Sequence, residues 1–266
     1  MKKIKEMLQI GQLTEAIQYL ETQLKDDPIN IDLRSALIEL LCIKGDLERA
    51  DKQLNLMVQK HPDFIIGATN LRQLVRAEQS RKDFANGISV PELFNGTNAH
   101  SEALLQLSVE LHNGDAASMQ SKAEMLEECR PEVSLKLNEN VVSELRDLDD
   151  TLGGFIEIFG TDGKFYLAEL SQIDFITFKP ATSIIEQVWR RVDLSIKDGP
   201  SGEAHIPLVY AKSETDAEKL GRETDWKEFA PDFMMGVGQK MWFVDDAAVP
   251  FSDFNRLETN TLETNS

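Results

Sequence analysis

Five residues near the start of the chain recur at a fixed interval. Gly11, Leu13, Ala16, Leu20 and Pro28 reappear as Gly45, Leu47, Ala50, Leu54 and Pro62, each 34 positions on. That interval matches the tetratricopeptide unit, a helix–turn–helix of about 34 residues. Each residue type has a physical task in such a unit. Glycine turns tightly between two helices because it reaches positive φ without a Cβ clash. Alanine lets the helices approach. Leu13 and Leu20, seven apart, share one helix face. Proline ends the second helix, since it has no N–H to donate and disfavours helix in the residue before it. One unit alone leaves an apolar face in water, and stacking with a neighbour buries it.

The pattern predicts helix pairs over Lys2–Ile10 with Leu13–Lys25, and Ile31–Lys44 with Leu47–Gln59, with Asn30 and Asp46 as N-caps. A fifth helix opens at His61-Pro62-Asp63 and runs through Val75. The repeat then breaks, because Gln79 stands 34 residues after Gly45, and the segment Arg81–Asn98, with Gly87, Pro91 and Gly96, reads as a connecting loop. Helical pattern resumes at Ser101. Gly114 to Pro131 repeats the glycine-to-proline spacing of the first two units, giving a degenerate third repeat with Met119 in the alanine position. A last helix is expected over Asn140–Leu148.

At Gly153-Gly154 the period changes from helical to alternating. Phe155–Phe159 and Lys164–Leu170 flank Thr161-Asp162-Gly163 as a hairpin. Further strands are expected at Asp174–Phe178, Val188–Ile196, Ala204–Tyr210, Gln239–Val244 and Ala248–Phe251. Helical turns are expected at Ile184–Gln187, Thr215–Leu220 and Phe229–Met235. The expected fold class is therefore α+β: a tetratricopeptide-like helical solenoid over 1–150, then a small, mainly antiparallel β domain, sheet or barrel, over 151–258. A disordered polar tail is expected over 259–266.

Composition narrows the function. The net charge is −18, and no basic run is present to hold a phosphate backbone, so neither nucleic acid nor an anionic membrane surface is an expected partner. No apolar run approaches the ~18 residues of a membrane span, and no long apolar signal segment follows the basic start, which predicts a cytoplasmic protein. Cys42 and Cys129 are too few for a disulfide framework. His61, His100, His112 and His205 show no ligand spacing, so no metal or cofactor is expected.

Three stretches carry enough polar density to weigh. Asp147, Asp149 and Asp150 would suit a Mg²⁺ site or acid–base work, but an exposed turn paired to lysine or arginine fits as well. In Leu220-Gly221-Arg222-Glu223-Thr224-Asp225-Trp226, Gly221 permits a turn, Arg222 could fork onto Glu223, Asp225 or a distant carboxylate, and Trp226 brings a large apolar body. Gly236-Val237-Gly238 lacks the third glycine of a phosphate loop and leads into a strand.

These stretches occur in a recognisable order. Asp147-Leu148-Asp149-Asp150, Val188-Trp189-Arg190, Pro207-Leu208-Val209-Tyr210, the Leu220–Trp226 run and Gly236-Val237-Gly238-Gln239-Lys240 together resemble the ImpE/TagJ family, also called SciE-type proteins, with Lys240 where the family pattern has arginine. The helical repeats fit the same family. The motif positions Asp147, Asp149, Asp150, Trp189, Gly221, Arg222, Thr224, Trp226, Gly236 and Gly238 then read as structural. The resemblance implies a non-catalytic accessory protein of bacterial type VI secretion, which binds an N-terminal helix of the small sheath subunit and links the sheath to a ClpV-type disassembly ATPase. A solenoid groove suits an amphipathic helix. Its expected lining is Leu8, Glu39, Ile43, Gln73 and Arg76, although Leu8 and Ile43 read equally well as inter-repeat core. Two other readings stand beside this one. An enzyme would need Asp149, Arg222 and Asp225 to converge in a cleft, and a chaperone or regulator would have a different partner.

Overall fold

Glycine makes the two turns that the repeat demands: Gly11 has φ +80° and Gly45 has φ +85°. The computed structural model describes residues 2–260. In it the first repeat is α1 (Lys2–Gln9) and α2 (Leu13–Asp26), and the second is α3 (Ile31–Lys44) and α4 (Leu47–Lys60). Asn30 and Asp46 cap α3 and α4 by accepting from Leu33 N and Arg49 N. Ala16 and Ala50 are wholly buried where the helices meet, as the 34-residue register requires. The fifth helix, α5 (Ile65–Ala85), is much longer than expected and absorbs the start of the supposed loop. With glutamine instead of glycine at position 79, nothing turns the backbone there. The rest of that loop contributes β1 (Glu92–Leu93), and α6 (Ala99–Asn113) and α7 (Ala116–Glu128) form a third helix pair, turned at Gly114 with φ +78°.

The switch to strand comes before Gly153. No helix covers Asn140–Leu148: β2 (Leu135–Leu137), β3 (Asn140–Val142) and β4 (Leu145–Asp147) lie there. Asn138-Glu139, both at positive φ, make the two-residue turn between β2 and β3. The expected hairpin is β5 (Phe155–Gly160) and β6 (Phe165–Glu169), followed by β7 (Ile173–Phe178), β8 (Trp189–Ile196) and β9 (Ser201–Pro207). A short α8 (Asp216–Lys219) comes next. The helical turn expected at Phe229–Met235 is instead the tip of a hairpin, β10 (Thr224–Ala230) with β11 (Phe233–Gly238), closed by Pro231-Asp232 with Asp232 at φ +65°. Then follow β12 (Met241–Val244), β13 (Ala247–Pro250) and β14 (Arg256–Thr259). Thr259 thus belongs to a strand rather than to the polar tail, and residues 261–266 lie outside the described residues.

Nine strands form one open sheet in the order β1-β6-β5-β9-β8-β7-β14-β2-β3, antiparallel except for β1 with β6. It has two edges, so it is a sheet and not a barrel. Smaller sheets of β10-β11 and β13-β12-β4 complete the fold. Both faces of the large sheet are covered. Phe155, Phe159, Phe165, Leu167 and Trp189 join the core of the helices, whereas Ile156, Ile158, Ile176, Val192 and Ile206 pack with Trp242, Phe251 and Phe254 on the other side. The helical and β parts therefore share a core along one sheet face.

Candidate functional site

The concave side of the solenoid is not an open groove, because the chain's own β part fills it. Leu8 is 4% exposed and Ile43 8% exposed, both within the shared core. The Glu39 carboxylate accepts from Ile185 N at 2.9 Å, and burial pushes its pKa up. Gln73 lies under the β5–β6 turn, so close that a Cβ on Gly163 would collide with its Oε1. Arg76 is exposed and donates to Gln73 Oε1 at 3.2 Å. Four of the five expected groove residues are thus buried or covered by other parts of the chain, and only Arg76 is exposed.

The Leu220–Trp226 run is part of that filling. Among the described residues Arg222 pairs with no carboxylate; its Nε donates to the Leu8 carbonyl oxygen at 3.1 Å. Asp216 of α8, four residues before Leu220, accepts from Thr14 N at 2.6 Å and pairs with Lys44 Nζ at 2.6 Å. Gly221, at φ +62°, packs by Val209, and Thr224 Oγ1 donates to Gln239 O at 2.9 Å. Trp226 is half-buried and meets the Tyr210 ring edge-on at 5.9 Å. Trp189 is buried against Phe159. The side chain of Asp225 is exposed. Asp149, Arg222 and Asp225 therefore do not converge in one cleft.

A different set does converge. Arg81, on the part of α5 read as loop, forks onto Glu157 of β5 at 2.8 and 2.7 Å, and its Nη2 also donates to Val209 O at 2.7 Å. Lys240 bridges Glu157 at 3.0 Å and Asp147 at 3.1 Å. Tyr210 donates its hydroxyl to Asp147 Oδ1 at 2.7 Å. Asp147 Oδ1 also accepts from Asp149 N, and Asp149 accepts from Thr151 N, Thr151 Oγ1 and Gly236 N at 2.8, 2.6 and 3.0 Å. Asp150 accepts from Met234 N at 2.7 Å and pairs with Arg146 at 2.8 Å. Gly236 leaves room for the Tyr210 ring, and at Gly238, φ +83°, a Cβ would meet Glu223 O. Burial raises the Glu157 pKa, but Arg81 and then Lys240 outweigh it and hold the carboxyl at about 2. Asp149 has no such help, and burial, then the Asp147 charge, lifts it to about 7. Among the described residues no three His, Cys, Asp or Glu side chains are grouped to hold a metal ion.

Beside this network lies a cleft of about 500 Å³ between the end of α5, α6, the 149–152 turn and β11. Phe84, Leu104, Leu107, Leu111, Leu152 and Met235 form apolar walls. Buried Asp149, Glu157 and Tyr210 form the floor, and exposed Asn86, Ile88 and His112 the rim.

The motif segments that meet here fall inside the match to the family described as ImpE protein, which covers residues 139–258; the tetratricopeptide repeat family matches residues 7–74. The type VI secretion system accessory component TagJ of Pseudomonas aeruginosa is 26% identical over 95% of this chain and 89% of that protein. The chain belongs to the ImpE/TagJ family. A crystal structure of protein VPA1032 from Vibrio parahaemolyticus is 40% identical, covers 97% of this chain and 98% of that one, and superposes with a TM-score of 0.92.

For this ImpE/TagJ chain, the sequence marks Asp147, Asp149 and Gly236, and Tyr210 and Lys240 as members of motif runs, but not the pairing of these residues or their partners Arg81 and Glu157. One signal was available. Glu157 sits in Phe155-Ile156-Glu157-Ile158-Phe159, where apolar residues at both parities mark a strand buried on both faces. A carboxylate there needs a buried cation.

Proposed function

We propose that this protein is a cytoplasmic, non-catalytic accessory protein of a type VI secretion system. It binds the N-terminal helix of the small sheath subunit and links the sheath to a ClpV-type disassembly ATPase. Kinship over nearly the whole chain with a type VI secretion accessory component supports the system and the accessory role. The observation that carries a binding rather than a catalytic reading is the cleft. Its walls are apolar, and the carboxylates at its floor are held by structural hydrogen bonds instead of standing beside a nucleophile. An amphipathic helix presents apolar side chains at i, i+3 and i+4 to such a surface. With the concave face filled in cis, the cleft is the better dock. No helix among the described residues is long and apolar enough to cross a membrane.

Titration calorimetry with a synthetic sheath-subunit N-terminal helix tests this reading. One-to-one binding is expected. Ile88→Asp, at a rim position 72% exposed, is expected to weaken it roughly tenfold, about 1.4 kcal/mol, with unchanged circular dichroism. Full-strength binding by that variant would remove the cleft as the dock, and absence of binding by the unaltered protein would overturn the sheath-helix reading.

A further inference from the structure

The buried carboxylates in and behind the cleft floor are matched by cations, except Asp149. Asp147 has Lys240 at 3.1 Å, Glu157 has Arg81 at 2.7 Å and Lys240 at 3.0 Å, and Glu78 has Arg81 at 3.4 Å. Asp149 is 3% exposed and has no lysine, arginine or histidine within 4 Å among the described residues. Its hydrogen bonds come only from two backbone N–H groups and a threonine hydroxyl. A buried charge without a counter-charge is costly, and here the open side is the cleft.

The charged groups nearest Asp149, in its own turn and on β5, are acidic, and the two basic groups of the cleft lie toward its rim. Asp147 and Asp150 share its turn, Glu157 comes from β5 and is already matched, and the Tyr210 phenol is held protonated by burial. His112 and Lys212 line the cleft from α6 and from the segment after β9, and Lys212 Nζ donates to Asn86 Oδ1 at 3.1 Å, at the rim. The walls leading down to Asp149 are apolar, which suits the methylene stem of a long basic side chain. The whole chain carries a net charge of −18, complementary to a basic partner.

We propose that a lysine or arginine of the protein partner enters the cleft, lays its stem and apolar neighbours against Leu107, Leu111 and Phe84, and pairs its head group with Asp149. This rests on the adaptor reading and names the chemistry that the partner helix must carry. It also makes recognition polar at the centre and apolar at the edge, so a purely apolar helix is a poor ligand. A cation at Asp149 favours its ionised form, and with that carboxyl at about 7, binding near neutral pH releases protons.

The test uses the full-length protein and two small probes of equal stem, n-hexylammonium and 1-hexanol, by titration calorimetry at pH 7 in two buffers of different ionisation heat. The ammonium is expected to bind at least tenfold tighter than the alcohol, with a fraction of a proton released per molecule bound. Asp149→Asn is expected to lose both the preference and the proton release while still taking the alcohol. Equal affinity for the two probes in the unaltered protein would overturn the inference, and that comparison needs no variant. The sheath-helix peptide with its basic residues replaced by norleucine separates this inference from the reading beneath it. Undiminished binding of that peptide overturns the cation but leaves the adaptor standing. Ammonium preference without binding of any sheath peptide overturns the adaptor assignment instead.

Discussion

Replacing Arg81 with methionine should cost this protein more stability than any exposed substitution, and the structure gives the size. The guanidinium is 3% exposed and makes two bonds to Glu157, one to the Val209 carbonyl and a longer contact to Glu78. Methionine keeps much of the volume and removes the charge. Glu157 keeps Lys240, but Lys240 is shared with Asp147. Breaking a buried pair by removing one partner typically costs about 3–5 kcal/mol, because a charge is left uncompensated. Proton linkage points in the same direction, for the combined hold of Arg81 and Lys240 on Glu157. Glu157 titrates at about 2 against an ordinary 4.5, and at about 1.4 kcal/mol per unit that favours the native state by about 3 kcal/mol at neutral pH. The folded pKa is depressed, so this stability is present above about 4.5 and is lost as the pH falls through about 2. Urea unfolding of Arg81→Met at pH 7 should therefore show a loss of about 3–5 kcal/mol. Glu157→Leu should lose a similar amount, and the double variant clearly less than the sum, since each single change strands a charge that the double change removes. A midpoint for Arg81→Met equal to that of the unaltered protein, or strict additivity in the cycle, would refute the account of this network as the lock between α5 and the sheet.

Other perturbations follow from the same contacts. Ala50→Leu should destabilise by roughly 1–3 kcal/mol through overpacking at a wholly buried helix contact, read as a lowered urea midpoint. Gly238→Ala combines a φ of +83° with a Cβ that would collide with Glu223 O; it should cost about 2 kcal/mol or more and lower the melting temperature. Asp149 has the opposite sign to Glu157: its folded pKa of about 7 lies above the ordinary 3.8, so its contribution is lost as pH rises from about 4 through 7. Asp149→Asn should remove that slope from a pH series of unfolding free energies.

How much of this could be read from sequence depended on whether the signal was local. The 34-residue register gave both helix pairs, the positive-φ glycines and the buried alanines, because each is a property of one turn or one helix contact. The β5–β6 hairpin was legible from alternation around Thr161-Asp162-Gly163. The β2–β3 hairpin was not, because its turn is Asn138-Glu139, without the glycine that usually follows asparagine at such a turn. The β10–β11 hairpin was lost in the same way: Pro231-Asp232 is a turn signal, but Phe233-Met234-Met235 does not alternate in polarity, since Met234 is exposed on a strand otherwise rich in apolar residues. At the site, Asp147, Asp149 and Gly236 were visible as motif members. Their arrangement was not, because Arg81, Glu157 and Lys240 are held together only by tertiary contact across 76 to 159 positions of chain.

The break in the repeat accounts for the rest of the architecture. Solenoids of this kind need about three units to bury a continuous core, and only two here keep the full pattern. The exposed ends are covered by the β part: α8 and Arg222 close the first repeat, the 3-10 turn at Ile185–Gln187 meets α3, and β5 and β6 meet α5. Glutamine at position 79 lets α5 continue to Ala85, where a third glycine would have turned the chain. That continuation carries Arg81 inward to Glu157 and sets Phe84 as one wall of the cleft. α6 packs chiefly on α7, and together with β11 it lines the same cleft as Phe84. The departure from periodicity at Gln79 thus produces both the lock and the cleft. The proposed partner surface, the cleft, therefore sits where the solenoid stops being regular, and not along the concave face that a longer array would use.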